Sequence, residues 1–254
     1  MRESANEWEP TLREISEATV AALGQERDAL AQASTATRVA RLLRTKIMEG
    51  VFPPGARLPE EAIGQALGVS RNTLRESFRL LCHDRIVVHH LNRGTFVTSL
   101  TSADVVDIFA LRRLVECGAA RMAGNSTDSA RTAVSAAAED GASAAANQAW
   151  DEVRTADLRF HLAVGGLAGS LRVQELMSQA LAELRLAFHV MSDLEAFHAP
   201  FVARNYALAK MIAAGDGATA EAELLTYLNE AERQVLEAFS EQSTVETTSM
   251  ANLL

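Results

Sequence analysis

The chain has 254 residues, 48% of them hydrophobic and 22% charged, with 24 Lys+Arg against 33 Asp+Glu and a formal net charge of −9. That composition excludes wholesale disorder, and no apolar run of about 18 residues is present to span a membrane. Two cysteines, Cys82 and Cys117, cannot build a disulfide framework, and the polar, acidic N-terminus does not read as a secretory leader, so a cytoplasmic home is expected.

The charge is unevenly spread. Residues 1–36 carry a net −4, residues 37–100 a net +5 and residues 101–254 a net −10. A compact basic segment inside an acidic chain is the footprint expected of a nucleic-acid-binding module joined to a domain with another task. Residues 1–36 form a Glu- and Ala-rich extension, in which Leu12, Ile15, Thr19, Ala22 and Leu23 keep a loose helical spacing. It reads equally as disorder or as a helix packed on a partner, with residues 31–37 as a linker.

From Thr37 the pattern sharpens. Val39, Leu42, Leu43 and Ile47 recur at helical spacing and Gly50 stops the helix. Phe52-Pro53-Pro54-Gly55 is a turn, and Glu60 to Leu67 is a second short helix with Ile63, Ala66 and Leu67 inward. After Gly68-Val69, Ser70 is placed to cap a third helix that carries Leu74, Phe78 and Leu81 on one face. Ile86 to His90 and Thr95 to Thr98 are β-rich runs around Asn92-Arg93-Gly94, which predicts a hairpin. Three helices and a hairpin make a winged helix-turn-helix over residues 37–100.

The chemistry follows from docking geometry. The N-terminal end of the third helix reaches base edges in the major groove of double-stranded DNA. Ser70, Arg71, Asn72, Thr73 and Arg75 occupy that end, and Arg is the preferred bidentate donor to guanine. Gly94 lets the wing backbone approach the duplex, with Arg93 reaching toward the narrower groove or its phosphates. Arg79 reads better as a surface ion-pair residue, and His89 and His90 as strand residues.

The run FPPGARLPEEAIGQALGVSRNTLRESFRLL, followed by NRGTFV, resembles the DNA-binding signature of the GntR family of bacterial transcription regulators. The match lies at Pro54-Gly55, Leu58, Glu60, Gly68-Val69-Ser70-Arg71, Arg75-Glu76 and Gly94-Thr95-Phe96-Val97. It implies DNA contact by Arg71, Arg75 and the wing around Arg93-Gly94. Asn72-Thr73 departs from the commoner Thr-Pro, and the second helix lacks an Arg near Glu61-Ala62.

Residues 101–244 are dense in Ala, Leu and Glu and read as an all-α bundle, with residues 245–254 as a tail. One helix is predicted from Thr101 or Ser102 to about Ala123, with Val105, Ile108, Phe109, Leu111, Val115 and Met122 mostly inward. Others follow at about 127–139, 144–167, 171–191, 197–214 and 217–241, punctuated at Asn125-Ser126, Asp140-Gly141, Gly165-Gly166 with Gly169, and Gly215-Asp216-Gly217. Leu111 to Glu116, Asp157 to His161, and Met211 to Asp216 followed by Ala220 resemble, in order, the motifs of the FCD sensor domain of the FadR branch.

Asp157 and His161 stand four apart and so share one helix face. Such a pair suits a divalent ion such as Zn, Ni or Mn. Many family members complete the site with two histidines, where this chain has Asn205 and Tyr227. Two strong ligands rarely hold a transition metal tightly. The expectation is therefore a metal-free or weakly metallated effector pocket lined by Arg112, Asp157, His161, Asn205 and Tyr227. Arg112 either receives a carboxylate-bearing effector or pairs with Glu116 one turn on. Nothing in the spacing aims His189 or His198 inward.

The leading reading is a homodimeric DNA-binding regulator that reads an inverted-repeat operator, a repressor released by a small molecule. An enzyme activating water on a metal is the second class; against it stand the missing third ligand and the absence of a Ser/His/Asp order, a P-loop or a dinucleotide loop. An architectural DNA binder without an effector is the third, and a compact helical core without a cavity would favour it.

Overall fold

The structure, a computed structural model, describes residues 27–251 apart from Ser192, with side chains from Thr35 to Glu241 apart from Val190. The expectations for residues 1–26 lie outside it. Helix α1 (Arg27–Met48) begins the described chain. It runs straight through residues 31–37, which the sequence reading made a linker. The stretch AQASTAT has no Gly or Pro, and its alanines favour the helix it was expected to interrupt. The buried stripe is Val39, Ala40, Leu43 and Ile47, whereas Leu42 is exposed.

The winged helix continues with β1 (Arg57–Leu58), α2 (Glu60–Leu67), α3 (Arg71–His83), β2 (Val87–His90) and β3 (Gly94–Val97). The predicted hairpin is present, with Val87 opposite Val97 and His90 opposite Gly94. A third strand, β1, pairs antiparallel to β3 and makes the sheet order β1-β3-β2. Ile47, Leu58, Leu74, Leu81 and Ile86 are fully buried beneath it.

The rest of the described chain is helical: α4 (Ser102–Arg112), α5 (Gly118–Arg121), α6 (Asp128–Ala146), α7 (Trp150–Gly166), α8 (Leu171–Ala187), α9 (Leu194–Ala213) and α10 (Gly217–Ala251). Thr101 and Asp104 form a reciprocal capping box that starts α4. Instead of one helix to Ala123, α4 widens into a π turn at Arg113–Cys117 before α5, and Met122, expected inward, is exposed. The expected break at Asp140-Gly141 is also absent. A lone Gly costs a helix about 1 kcal/mol, which the surrounding alanines absorb. The chain turns instead at Asn147-Gln148-Ala149, with Gln148 at φ 58°. Helix α10 runs to Ala251, into the segment read as a tail.

Phe109, Phe160, Leu184, Leu208 and Leu228 lie in the core of the bundle. The two cores are joined by Leu186 of α8, which packs among the winged-helix residues. Polar ties support that seam: Gln179 Nε2 lies 3.2 Å from His83 Nδ1, and Arg85 lies 3.7 Å from Glu183.

Gly217, the first residue of α10, is pressed against the end of α5. A Cβ there would lie well inside van der Waals contact of the Arg121 carbonyl, a backbone group that cannot swing aside. Gly217→Ala is therefore expected to cost about 1–3 kcal/mol through overpacking. Urea unfolding checks this, and an unchanged midpoint would contradict the close approach.

Candidate functional site

The first candidate site is the outer face of the winged helix. Ser70 has extended backbone and its hydroxyl accepts from the Thr73 backbone N–H at 3.1 Å, the cap that fixes where α3 begins. Arg71, Asn72 and Arg75 are exposed around that end. Thr73, expected among the DNA-facing residues, is turned inward instead: it is buried and its hydroxyl lies 2.8 Å from Ser70 Oγ. Its part is to hold the cap. Arg75 lies 3.1 Å from Glu60 across the turn, an exposed pair that water competes with. Arg79 pairs with Glu76, and His89 and His90 lie on β2 against Thr95 and Phe96.

At the wing, Asn92 and Gly94 take positive φ, 61° and 100°. Arg93 is exposed and its guanidinium lies 5.7 Å from the centre of the Phe96 ring. Arg57, on β1, packs beside Gly94, where an added Cβ would meet its Nε at 3.4 Å. Arg57 was missed by sequence reasoning. A two-residue strand is too short to show alternation, and only its place among the basic residues of the segment could have pointed to it. Arg57, Arg71, Arg75 and Arg93 thus give the domain exposed guanidinium groups at the start of α3 and on the wing.

The second candidate site is a polar network sealed in the bundle. The π turn between α4 and α5 carries Glu116 to the centre of the domain, where it is fully buried. Arg112 Nε donates to Glu116 Oε1 at 2.7 Å, so the ion pair is the arrangement present. Glu116 Oε2 lies 2.6 Å from His161 Nδ1. The Tyr227 hydroxyl donates to Asp157 Oδ1 at 3.0 Å, and Asn205 Nδ2 donates to the same oxygen at 2.8 Å. With its hydrogen committed to Asp157, Tyr227 accepts from His161 Nε2 at 3.2 Å. Both ring nitrogens of His161 thus have oxygen partners, and Arg112 and His161 lie against the two carboxylates.

Burial alone raises the Glu116 carboxyl, but Arg112 and His161 together outweigh it and hold the group below the usual carboxylate range. Asp157 follows the same logic: burial raises it, and His161, His198, the Asn205 hydrogen bond and Arg112 bring it down. Burial and the neighbouring Asp157 push the Tyr227 phenol well up, so it stays a donor.

All five expected residues, Arg112, Asp157, His161, Asn205 and Tyr227, come together. His198 joins them, contrary to the sequence reading: it is 1% exposed, and its Nδ1 lies 4.0 Å from Asp157 Oδ2. Both its nitrogens, Asn205 Oδ1 and Arg112 Nη2 are buried without a hydrogen-bond partner among the described residues. The space beside Asp157, His198 and Asn205 is about 10 Å³, room for roughly one water.

As placed, these residues do not fit a divalent transition ion. The Tyr227 hydroxyl bridges His161 Nε2 and Asp157, and Glu116 takes the other nitrogen of His161. Among the described residues no group of three His, Cys, Asp or Glu is disposed to hold a metal. No described helix is long and apolar enough to cross a membrane.

Comparison with known proteins matches residues 35–97 to the model for bacterial regulatory proteins of the gntR family and residues 107–230 to that for the FCD domain. The crystal structure of a putative transcriptional regulator GntR from Rhodococcus sp. RHA1 is 42% identical, with a TM-score of 0.74 over 81% of this chain and 99% of that one. The gluconate operon transcriptional repressor of Bacillus subtilis is 36% identical over 88 residues, 34% of this chain and 35% of that protein. The transcriptional repressor RspR of Escherichia coli is 30% identical over 86 residues, 34% of this chain and 38% of that one. The chain thus spans about a third of the length of the curated relatives it matches, which are regulators and not enzymes. A winged helix with an exposed, Ser-capped arginine helix, a helical domain behind it and a relative alike over nearly its whole length lead to one assignment: the chain belongs to the GntR family and carries an FCD domain.

Proposed function

We propose that this protein is a cytoplasmic, homodimeric transcription repressor in which residues 37–100 read a DNA inverted repeat and residues 101–244 dimerise and receive a small-molecule effector. The observation that carries the reading is the exposure of Arg71 and Arg75 at the capped start of α3, with Arg57 and Arg93 on the adjacent wing. The repressor sense leans on the two relatives named as repressors, whose likeness lies in the DNA-binding third of the chain.

The effector reading leans on Arg112 Nη2, Asn205 Oδ1 and both His198 nitrogens, buried polar atoms that lack partners among the described residues. A carboxylate drawn to Arg112 would compete with Glu116 for it, and so would bias the π turn that follows Arg112 and carries Glu116. One observation favours a second reading, a DNA binder without an effector: the space beside the network holds about one water.

Selection of DNA sites by the purified protein, followed by a thermal-shift screen of organic acids, sugar acids and acyl compounds, tests both. A selected inverted repeat together with an acid that raises the thermal midpoint and weakens operator binding is the expected result. Absence of any selected motif overturns the regulator, and a selected motif without a responsive ligand favours the effector-independent binder.

A further inference from the structure

The winged helix and the bundle meet along a cleft of about 510 Å³ between α1 and the paired helices α7 and α8. Its floor is apolar, formed by Met48, Leu158, Leu162 and Leu181. Its rim is cationic: Arg44, Arg159 and Arg185 face a single carboxylate, Glu49, which Lys46 already holds at 2.6 Å. Arg44 is paired with Asp84.

The other two arginines are not neutralised. Arg159 is exposed and forms no ion pair among the described residues. Among the described residues Arg185 donates only to the Thr155 hydroxyl, at 3.1 Å, and its Nε is buried without a partner. Burial first, and then the like charge of Arg154, lower the Arg185 pKa; Asp151 opposes them in part, and Arg159 adds to the lowering. Among the described residues Arg154 forms an ion pair with exposed Asp151 and leaves Nε unpartnered. The seam is therefore short of negative charge at a place where apolar surface stays open. A larger groove on the far side of Arg159 has no such bias, since Asp140 and Glu175 line it together with Arg159 and Arg172.

We propose that this interdomain cleft is a ligand site separate from the buried network, and that it takes a small amphipathic oxyanion, its head between Arg159 and Arg185 and its apolar body on Leu158, Leu162 and Leu181. The guanidinium fork matches a carboxylate or phosphate head, and the apolar floor supplies the rest of the affinity. Both domains form the walls, so an occupant fastens the winged helix to the bundle. Helix α7 turns Leu158, Arg159 and Leu162 to the cleft and Asp157 and His161 to the network, so the two sites share one helix on different faces. Any effect on operator affinity rests on the DNA-binding reading; binding to the cleft does not.

The test uses the full chain without DNA, so its failure leaves that reading untouched. Octanoate, octyl phosphate and neutral octanamide are titrated by calorimetry and thermal shift. Octanoate or octyl phosphate is expected to bind and raise the thermal midpoint, and the stronger of the two identifies the head group. Octanamide is expected to have no effect. Arg159→Gln, an exposed change that spares the core, is expected to weaken binding about tenfold or more, and Arg185→Gln similarly. An equal response to octanamide, no binding of either anion, or unchanged affinity in both variants overturns the proposal.

Discussion

Arg71→Ala is expected to abolish operator binding at working concentrations while leaving the thermal midpoint unchanged. Arg71 is exposed and forms no ion pair among the described residues, so its removal exposes nothing and orphans nothing. A bidentate Arg–guanine contact is worth about 1–3 kcal/mol. The proposed dimer on an inverted repeat would make it twice, so the expected loss is about 2–6 kcal/mol, at least about 30-fold in affinity. If Arg71 clamps phosphate instead, all sequences weaken alike and the salt dependence falls by about one ion per half-site. Titrations of the operator and of scrambled DNA at several salt concentrations distinguish the two. Unchanged affinity together with unchanged salt slope would contradict the docking face. Arg75→Ala is expected to lose less, because Glu60 already competes for that guanidinium.

What the sequence disclosed about this face depended on whether the signal was local. A Ser before an amphipathic run predicts a cap because the acceptor and its N–H lie three residues apart, and Ser70 does cap α3. Leu74, Phe78 and Leu81 mark the inner side of the same helix, and all three are buried. Thr73 reads as outward from its place at the helix start; helical phase, one residue from Leu74, turns it in. Arg57 owes its place beside Gly94 to strand pairing between residues nearly forty apart, which no local pattern encodes.

The bundle was legible as helices and much less so as a site. Arg112 and Glu116 could be read as an i, i+4 pair, but their burial could not, because it depends on the π turn that swings Glu116 inward. His198 stayed hidden because Phe197, Pro200 and Phe201 surround it in sequence, so α9 offers no polar stripe to read. The amount of space around these side chains is a property of several helices packing at once. That is why a pocket was expected where about one water fits.

Glu116 is the residue on which that packing depends most. Glu116→Gln removes one of two carboxylates from the buried network and leaves Arg112 facing an amide. Breaking a buried pair from one side costs about 3–5 kcal/mol, because the desolvated partner charge stays behind. The double change Arg112→Met with Glu116→Leu removes both members of that pair but leaves His161 Nδ1 without its acceptor, so it is expected to recover only part of the loss.

The pH dependence has a definite sign. Glu116 and Asp157 are both held below their unfolded values of about 4.3 and 3.9. Their stabilisation is present in full above those values and disappears as the pH falls through the folded ones. Wild type is thus expected to lose stability steeply below about pH 4. Glu116→Gln starts lower and falls less steeply, since one of the two groups no longer takes up a proton. Urea unfolding at fixed protein concentration from pH 7 down to pH 3 measures both. A loss under about 1 kcal/mol at pH 7, the level of an exposed pair, would show that water reaches Glu116 and that the sealed network opens in solution.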